Sequence, residues 1–265
     1  MVRIEIREVS NENLDDLCQL CVPVERRSSP IYGRGMEDKK KWATHVLERS
    51  GVIGKLAYYR SKPAGLLQYE LVEEEKLIRI QCIYVPDSEH WRKGVATRLF
   101  STLLDEAKES RRWFGVGPLD GIVVRTFPAE QHGQYPARLF FKRSGFVQVG
   151  NDPDQLFFPL RRGASYKPLQ RIPSEYLPQE EDRNRATILY NPSFCPFSYV
   201  FLRKGEDLIR EVIPEIQVHW IDKSEQPGEF EKRGGFEGCV VNLNPIKSFV
   251  LNEEQFKKEV KLAVR

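Results

Sequence analysis

The sequence predicts a protein of the mixed α/β (α+β) class, with one larger domain followed by a smaller α/β domain. Residues 2–160 alternate β-branched apolar runs with amphipathic stretches, which is typical of strands and helices that share one core. A β-α-β order follows after residue 186, and the proline-rich, charged stretch before it indicates a linker. A chain of 265 residues is long enough for two domains of this kind.

Apolar spacing predicts each element of the larger domain. Strict alternation predicts strands, whereas Leu99, Leu103 and Ala107 recur at the spacing of one helix face. The acidic turn Glu73–Glu75 and the segment Ser61–Pro63 divide one apolar region into three antiparallel strands. The predicted elements are a strand at 2–8, helices at 11–22 and 37–49, three strands within 54–85, a helix at 93–110, a strand at 121–126, a helix at 135–144, and strands at 146–149 and 156–160.

Charge and composition limit the classes of partner. The chain has 41 basic and 38 acidic residues, and its densest basic block is Lys39–Lys41, so nucleic acid is not expected as a partner. No apolar run approaches membrane-spanning length, and the first residues alternate like a strand rather than a signal peptide. We therefore expect a soluble, cytoplasmic protein with no membrane partner. Five unevenly spaced cysteines predict reduced thiols.

Residues 81–109 carry the clearest functional pattern. An apolar strand ends at a turn that leads directly into an amphipathic helix, with Gly94 and Ala96 at the helix start. The first N–H groups of a helix lack intrahelical acceptors, and the helix dipole is positive there, so this layout suits a bound phosphate. Gly94 has no Cβ to block the close approach of an anion.

This segment resembles the pyrophosphate-binding motif Q/R-x-x-G-x-G/A of the GNAT superfamily of acyl-CoA N-acyltransferases. Gly94 and Ala96 match that motif, and Trp91 stands where the family usually has Gln or Arg. The element order predicted above is also that of the GNAT fold, which has a mixed central sheet.

A second segment, residues 135–146, resembles the GNAT pattern A-x-x-x-Y-x-K-x-G-F. Ala137, Gly145 and Phe146 match, and Lys142 matches with a slip of one residue. Phe141 occupies the place of a tyrosine that the family often uses as the general acid toward the CoA thiolate. Phenylalanine has no proton to give, so we expect Phe141 to pack in the core.

The resemblance implies an N-acetyltransferase that transfers an acetyl group from acetyl-CoA to an amine-bearing acceptor, without a metal. It also implies that strand backbone groups pair with the pantetheine arm and that loop amides hold the pyrophosphate. The residues assigned to acetyl-CoA in this way are Cys82, Ile83 and Val85 on the strand, and Arg92, Lys93, Gly94, Val95, Ala96 and Thr97 in the loop and first helical turn.

Catalytic residues are less clearly indicated than the cofactor loop. Amine attack on a thioester requires that a base or a water chain remove a proton, and Glu70 and Tyr84 are candidates for this role. Both residues also suit plain surface or packing positions. Glu130 and His132 could face the acceptor, although a solvated loop is the favoured interpretation of this segment. The acceptor and the oligomeric state are left open by the sequence.

The expected division of the chain is a GNAT domain at 1–163, a linker at 164–185 and a second domain at 186–265. In the second domain, Cys195-Pro196-Phe197-Ser198 follows a strand and opens a helix, as does the C-x-x-C/S site of thioredoxin-like domains. The second half as a whole resembles the YoaP-type domain that follows some GNAT domains. Residues 238–265 would complete this fold with a strand pair and a terminal helix.

Cys195 is the candidate for reactive sulfur chemistry, because a helix N-terminus favours a thiolate. Ser198 cannot close a local disulfide, so a dithiol cycle would require Cys239 as the partner. Two interpretations of the second domain follow. It is either a binding or substrate-specificity module, or the centre of a thiol-reactive or redox-sensing protein for which CoA is only a regulatory ligand.

The remaining cysteines do not predict a metal site. Cys18 and Cys21 have the spacing of a ligand pair, but they lie in an apolar helix pattern that indicates burial. Zinc would need two more ligands, and the four histidines show no paired spacing. Cys82 is expected to be a small core residue rather than a nucleophile.

Overall fold

The computed structural model describes residues 4–109, 119–127, 135–167 and 175–264. Contacts divide the chain into two compact units, the first formed by Met1–Pro23 and Ala43–Leu169, and the second by Val24–Trp42 and Gln170–Arg265. The strands are β1 (Ile4–Glu8), β2 (Gly54–Tyr59), β3 (Lys62–Val72), β4 (Leu77–Tyr84), β5 (Gly121–Arg125), β6 (Val147–Val149), β7 (Asp152–Pro159), β8 (Ala186–Tyr190), β9 (Val218–Asp222), β10 (Gly238–Val241) and β11 (Asn244–Pro245). The α-helices are α1 (Leu14–Leu20), α2 (Pro30–Ser50), α3 (Val95–Glu109), α4 (Ala137–Arg143), α5 (Phe197–Val212), α6 (Pro227–Lys232) and α7 (Glu253–Ala263).

The first unit contains a mixed seven-stranded sheet in the order β1-β2-β3-β4-β5-β7-β6. All neighbouring strands are antiparallel except β4 and β5, which run parallel and are connected through α3. The mixed α/β class is therefore confirmed. The order of helices and strands in this unit is also the predicted one.

Helix α3 covers one face of this sheet and forms the main core of the unit. Its apolar side chains Leu99, Leu103 and Ala107 are buried against Ile80 of β4 and Ile122 of β5. The predicted face of this helix is thus the buried face. A leucine at such a position contributes about 2–5 kcal/mol to stability, as judged from its replacement by alanine.

The second unit contains a four-stranded sheet in the order β11-β10-β8-β9. Strands β8 and β9 are parallel, whereas β10 is antiparallel to both β8 and β11. Helices α5 and α7 pack on this sheet through residues such as Ile209 and Phe256. The β-α-β order, the strand pair and the terminal helix occur as expected, and α6 was not expected. Assignment of this unit to the thioredoxin-like family stays a prediction.

Helix α2 begins at Pro30, seven residues before the predicted start at residue 37. Gly33 and Gly35 weaken the helical signal in the sequence because glycine is a poor helix former. In the structure, a Cβ on Gly35 would lie 2.1 Å from the carbonyl oxygen of Pro196, so glycine is required for this contact. Tertiary packing therefore overrides local propensity.

Side-chain bonds within the second unit also hold the first half of α2. Arg34 donates to Asp38 one turn later at 2.9 Å and to Asp222 at the end of β9 at 2.7 Å. The hydroxyl of Tyr190, at the end of β8, donates to Asp38 at 2.7 Å. The segment Val24–Trp42 therefore packs with the second unit, although the sequence analysis grouped it with the first domain. The limits 163 and 186 stay predictions, since contacts alone do not define what folds independently.

A buried ion pair joins Asp182, just before β8, to Arg233, just after α6. The Asp182 carboxylate accepts hydrogen bonds from Arg233 at 2.7 and 3.0 Å, from Tyr176 at 2.8 Å and from Thr187 at 2.7 Å. Burial alone would raise the pKa of Asp182, but these donors outweigh it and hold the pKa at about 2. The carboxylate therefore stays ionised in the folded chain at neutral pH.

We expect Asp182→Asn to lower the free energy of unfolding at pH 7 by about 1–3 kcal/mol, because it removes the buried charge that Arg233 contacts through two nitrogens and leaves Glu229 as its anionic partner. The folded pKa of Asp182 lies below its ordinary value of 3.8. Its contribution is therefore complete above that value and is lost as the pH falls through about 2. Urea unfolding of both proteins across this range measures the effect, and a difference in stability that is independent of pH would contradict it.

The β2–β3 hairpin turns at Arg60 and Ser61, whose φ angles are +50° and +63°. Such angles favour glycine. We expect Ser61→Gly to raise the free energy of unfolding by about 0.5–1 kcal/mol, because the strain of a left-handed side-chain-bearing residue is removed. Ser61→Ala is the matched control and should give no gain. Thermal unfolding of the wild type and both variants measures these stabilities. An equal gain in stability in both variants would contradict the explanation.

Candidate functional site

The candidate site lies where β4 continues beyond its ladder with β5. The parallel pairing runs from Leu77–Gly121 to Ile80–Val124, and β4 then extends to Tyr84. On its other edge, β4 stays paired with β3 as far as the Leu66–Tyr84 pair. Beyond Ile80, β4 therefore no longer pairs with β5 but remains paired with β3. Among the described residues, no strand pairs with β4 on the β5 side beyond Ile80, and an extended ligand can add to a sheet at such an edge.

A β-bulge interrupts β4 at the same place. Gln68 pairs with Cys82 and Tyr69 pairs with Ile80, so Gln81 is an extra residue opposite the β3 backbone. The side-chain oxygen Oε1 of Gln81 is buried, and no described residue donates a hydrogen bond to it. Sequence reasoning missed Gln81. Its only signal was a polar amide inside an otherwise apolar strand.

The loop that follows β4 is shaped by two left-handed residues. Arg92 has φ +60° and Gly94 has φ +81°, and a Cβ on Gly94 would meet no atom within 4 Å. The N–H of Arg98 donates to the carbonyl of Gly94 at 2.8 Å, which begins the helical bonding of α3. The preceding amides therefore lie at a helix start beside open space, which is the arrangement that binds anions.

Trp91 anchors this loop to the end of the strand. Its indole Nε1–H donates to the carbonyl oxygen of Val85 at 2.8 Å, across six residues. The Trp91 side chain therefore ties the two ends of the turn together.

Gly65 on β3 lets the start of α3 approach the sheet closely. A Cβ at this position would lie 2.7 Å from Cγ1 of Val95 and 3.3 Å from the carbonyl oxygen of Tyr84. The first residue of α3 therefore packs directly over the end of β4. This contact brings the predicted loop residues, Arg92 to Thr97, next to the predicted strand residues, Cys82, Ile83 and Val85.

Cations and aromatic rings border the loop. The Lys93 ammonium and the Arg60 guanidinium lie 5.6 and 5.5 Å from the ring centre of Tyr59. The ring of His90 packs against Tyr59 with a centroid distance of 5.3 Å. The first turn of α3 contains no acidic residue. The local charge is therefore favourable for a phosphate-bearing ligand.

The structure separates the two catalytic candidates. Tyr84 is the last residue of β4, beside the open edge. Leu66 is the β3 residue that pairs with Tyr84. Glu70 lies four residues further along β3, a distance of about 13 Å along the strand. The Glu70 carboxylate is held at 2.6 Å by Arg79. Because this charge is already partnered, Glu70 is poorly suited to remove a proton at the open edge.

The remaining candidate residues of the larger domain are buried or half-buried where the structure describes them. Phe141 is buried and packs edge-on against Phe100 and Phe146, so the prediction of a core position is confirmed. Cys18 and Cys21 are likewise buried, as expected. Cys82 is half-buried at the bulge. Glu130 and His132 lie outside the described residues.

In the second unit, Cys195 lies in the turn before α5. The Ser193 and Ser198 hydroxyls are 3.2 Å apart around this turn, and the Ser198 N–H donates to the Cys195 carbonyl at 3.2 Å. Helix α2 covers the turn, because Tyr32 packs edge-on against Phe197 and Gly35 touches Pro196.

The proposed disulfide partner, Cys239, is in a different place. Its Sγ lies beside Gly205, about 12 Å along α5 from the start of that helix. A disulfide requires Cα atoms closer than about 7 Å, so the structure does not bring Cys195 and Cys239 together. Burial, with the nearby Glu206 carboxylate, raises the pKa of the Cys239 thiol to about 12. This thiol is therefore protonated and inert at neutral pH.

One family model matches part of this chain. A family model described as the acetyltransferase (GNAT) family matches residues 14–127, which is less than half of the chain. The matched stretch contains β4, the loop and α3. No curated protein sequence gives a significant match. No described helix is both long enough and apolar enough to cross a membrane.

Several solved structures resemble this chain at low identity. A GNAT-family acetyltransferase from Staphylococcus aureus Mu50 is 15% identical, with a TM-score of 0.45 over 60% of this chain and 100% of its own. The PaiA N-acetyltransferase of Thermoplasma acidophilum in complex with coenzyme A is 16% identical, with a TM-score of 0.44 over 58% and 96%. The Escherichia coli GNAT family N-acetyltransferase YhbS in complex with CoA is 16% identical, with a TM-score of 0.42 over 62% and 85%.

We expect Gly65→Ala to destabilise the chain by about 1–3 kcal/mol, because the new methyl group would overlap with the Val95 side chain. Combining it with Val95→Ala should recover part of this loss, since the second change removes the overlapping atoms. Urea unfolding of the wild type, both single variants and the double variant gives the coupling energy. Strict additivity of the two losses would contradict the close approach.

Proposed function

We propose that the first unit binds acetyl-CoA and transfers its acetyl group to an amine, so that the protein is an N-acetyltransferase. One observation carries the proposal. Strand β4 leaves β5 after Ile80 and leads through a loop with two left-handed residues into the N-terminus of α3. The match of residues 14–127 to the acetyltransferase (GNAT) family supports this interpretation of the geometry.

The proposed binding mode uses backbone groups of two neighbouring segments. The amides of the pantetheine arm would pair with the open edge of β4, along Cys82, Ile83 and Val85. The pyrophosphate would bind the amides of Arg92 to Thr97, where the helix dipole and the Lys93 ammonium favour negative charge. The space beside Gly94 fits such an anion because no Cβ and no neighbouring atom fills it.

Acetyl-CoA would supply an activated acyl group, and the protein would supply position and hydrogen bonds. The attacking amine must be neutral, and holding it close to the thioester accounts for much of the rate in reactions of this type. Gln81 Oε1, a buried acceptor at the bulge, is suited to receive an N–H of the amine. Tyr84 is the better placed of the two proton-transfer candidates, because Glu70 is engaged by Arg79.

For the second unit we propose a binding or specificity role with a thioredoxin-like fold. The redox alternative is disfavoured because Ser198 replaces the second cysteine and Cys239 lies far from Cys195 in the core. A cytoplasmic location is part of the proposal, since all five cysteines are thiols, which suits a reducing compartment.

We expect Gly94→Ala to weaken acetyl-CoA binding by tenfold or more, because a side chain strains the φ of +81° and enters the proposed anion space. Gly163→Ala is the matched control, since Gly163 has φ +80° and also has no atom within 4 Å of a Cβ. Isothermal titration of the wild type and both variants with acetyl-CoA gives the three affinities. Equal affinity in both variants, or no binding by the wild type, would sink the proposed loop.

A second experiment separates acetyl transfer from sulfur chemistry. Acetyl-CoA is incubated with a panel of spermidine, lysine, an aminoglycoside and a peptide amino terminus, and release of CoA thiol is followed. Any amine-dependent release should persist in Cys195→Ser and should fall at least tenfold in Gly94→Ala at subsaturating acetyl-CoA. Release that disappears in Cys195→Ser while acetyl-CoA still binds would overturn the transferase proposal in favour of the redox alternative.

A further inference from the structure

Three potential metal ligands meet in the turn between β4 and the loop at Trp91–Ala96. Each of Asp87, Glu89 and His90 has one potential ligand atom that lies within 4.8 Å of the ligand atoms of the other two. His90 Nδ1 is 3.7 Å from an Asp87 oxygen, and His90 Nε2 is 3.8 Å from a Glu89 oxygen. The His90 N–H donates to the Asp87 carbonyl at 2.9 Å, which closes the turn and fixes the spacing of these side chains.

His90 is an unusual member of this cluster because its ring is buried. The residue is 7% exposed and packs against Tyr59, whereas the Asp87 and Glu89 side chains are 60% and 75% exposed. His90 Nδ1 has no hydrogen-bond partner among the described residues. A buried polar atom without a partner costs about 1–3 kcal/mol, so a ligand for this nitrogen would be stabilising. The two exposed carboxylates leave a route by which an ion can enter from solvent.

We infer that Asp87, Glu89 and His90 form a binding site for a divalent first-row transition-metal ion. Zinc–nitrogen and zinc–oxygen bonds are about 2.0–2.2 Å long, so one ion can bridge His90 Nδ1 and the Asp87 oxygen at their present separation. The exposed Glu89 carboxylate now lies nearest Nε2, on the other side of the ring, and must rotate to reach the same ion. An imidazole with two carboxylates suits Zn²⁺, Co²⁺ or Ni²⁺, whereas Mg²⁺ and Ca²⁺ prefer oxygen ligands alone. Water would complete the coordination.

The neighbouring charges limit how tightly such an ion binds. The Lys93 ammonium lies 5.6 Å from the ring centre of Tyr59, against which His90 packs, and it repels a dication, while the Asp87 and Glu89 carboxylates attract one. The competing explanation is that the turn alone holds these three side chains together without a metal. Asp87, Glu89 and His90 are not among the residues proposed to bind acetyl-CoA, so the inference does not rest on the proposed function, although the two sites share the turn closed by Trp91.

The test uses the full chain and Zn²⁺, titrated calorimetrically at pH 7 in a non-chelating buffer, with Mg²⁺ as the counter-probe. Asp87→Asn and Glu89→Gln each replace one exposed carboxylate by a neutral, weaker ligand and should preserve the fold. The matched control is Glu74→Gln, an exposed carboxylate in the 3-10 turn Glu73–Glu75. The wild type and the three variants all contain the same cysteines, which can also bind Zn²⁺. The difference in Zn²⁺ affinity between these proteins therefore reports on the proposed site.

We expect Asp87→Asn and Glu89→Gln each to weaken Zn²⁺ binding at least tenfold, whereas Glu74→Gln binds like the wild type and Mg²⁺ gives no saturable heat. Addition of Zn²⁺ should also shift the His90 ring resonances in the NMR spectrum of the wild type. The inference is overturned by an absence of saturable Zn²⁺ binding, by wild-type affinity in either carboxylate variant, or by unshifted His90 resonances. The last two results would leave only adventitious zinc binding by cysteine thiols.

Discussion

The architecture of the first unit depends on the point at which β4 and β5 stop sharing hydrogen bonds. Four residue pairs join the two parallel strands, and β4 then continues to Tyr84 beside β3 alone. Parallel strands must be joined by a crossover, and here α3 provides it, so the helix N-terminus lies close to the strand end. A backbone edge and a helix dipole are therefore brought together by topology, before any particular side chain acts.

Side chains then hold this junction in shape. Gly65 allows Val95 to approach the sheet, and the Trp91 indole bonds to the Val85 carbonyl across the turn. The bulge at Gln81 twists the same end of β4 and leaves a buried acceptor there. The turn at Asp87–His90 lies inside this closed loop. Its three possible metal ligands are consequently fixed by the same contacts that shape the anion site.

Much of the fold could be predicted because its signals are local. Apolar periodicity predicted the order of elements, the buried face of α3 and the core position of Phe141. The features that were missed depend on pairing between distant segments. The bulge at Gln81 exists only relative to β3, and the partner of Glu70 is Arg79 across a hairpin. The early start of α2 likewise depends on Pro196, more than 150 residues later, which no local pattern reports.

We propose that the exposed edge of β4 and the start of α3 bind one ligand, acetyl-CoA, together. Amide hydrogen exchange with and without saturating acetyl-CoA tests this joint binding most directly, because it reports on the backbone groups themselves. Exchange should slow in two stretches, residues 81–85 and 92–97, with no comparable change at residues 193–198. Protection confined to the Cys195 turn, or unchanged exchange in either predicted stretch, would contradict it.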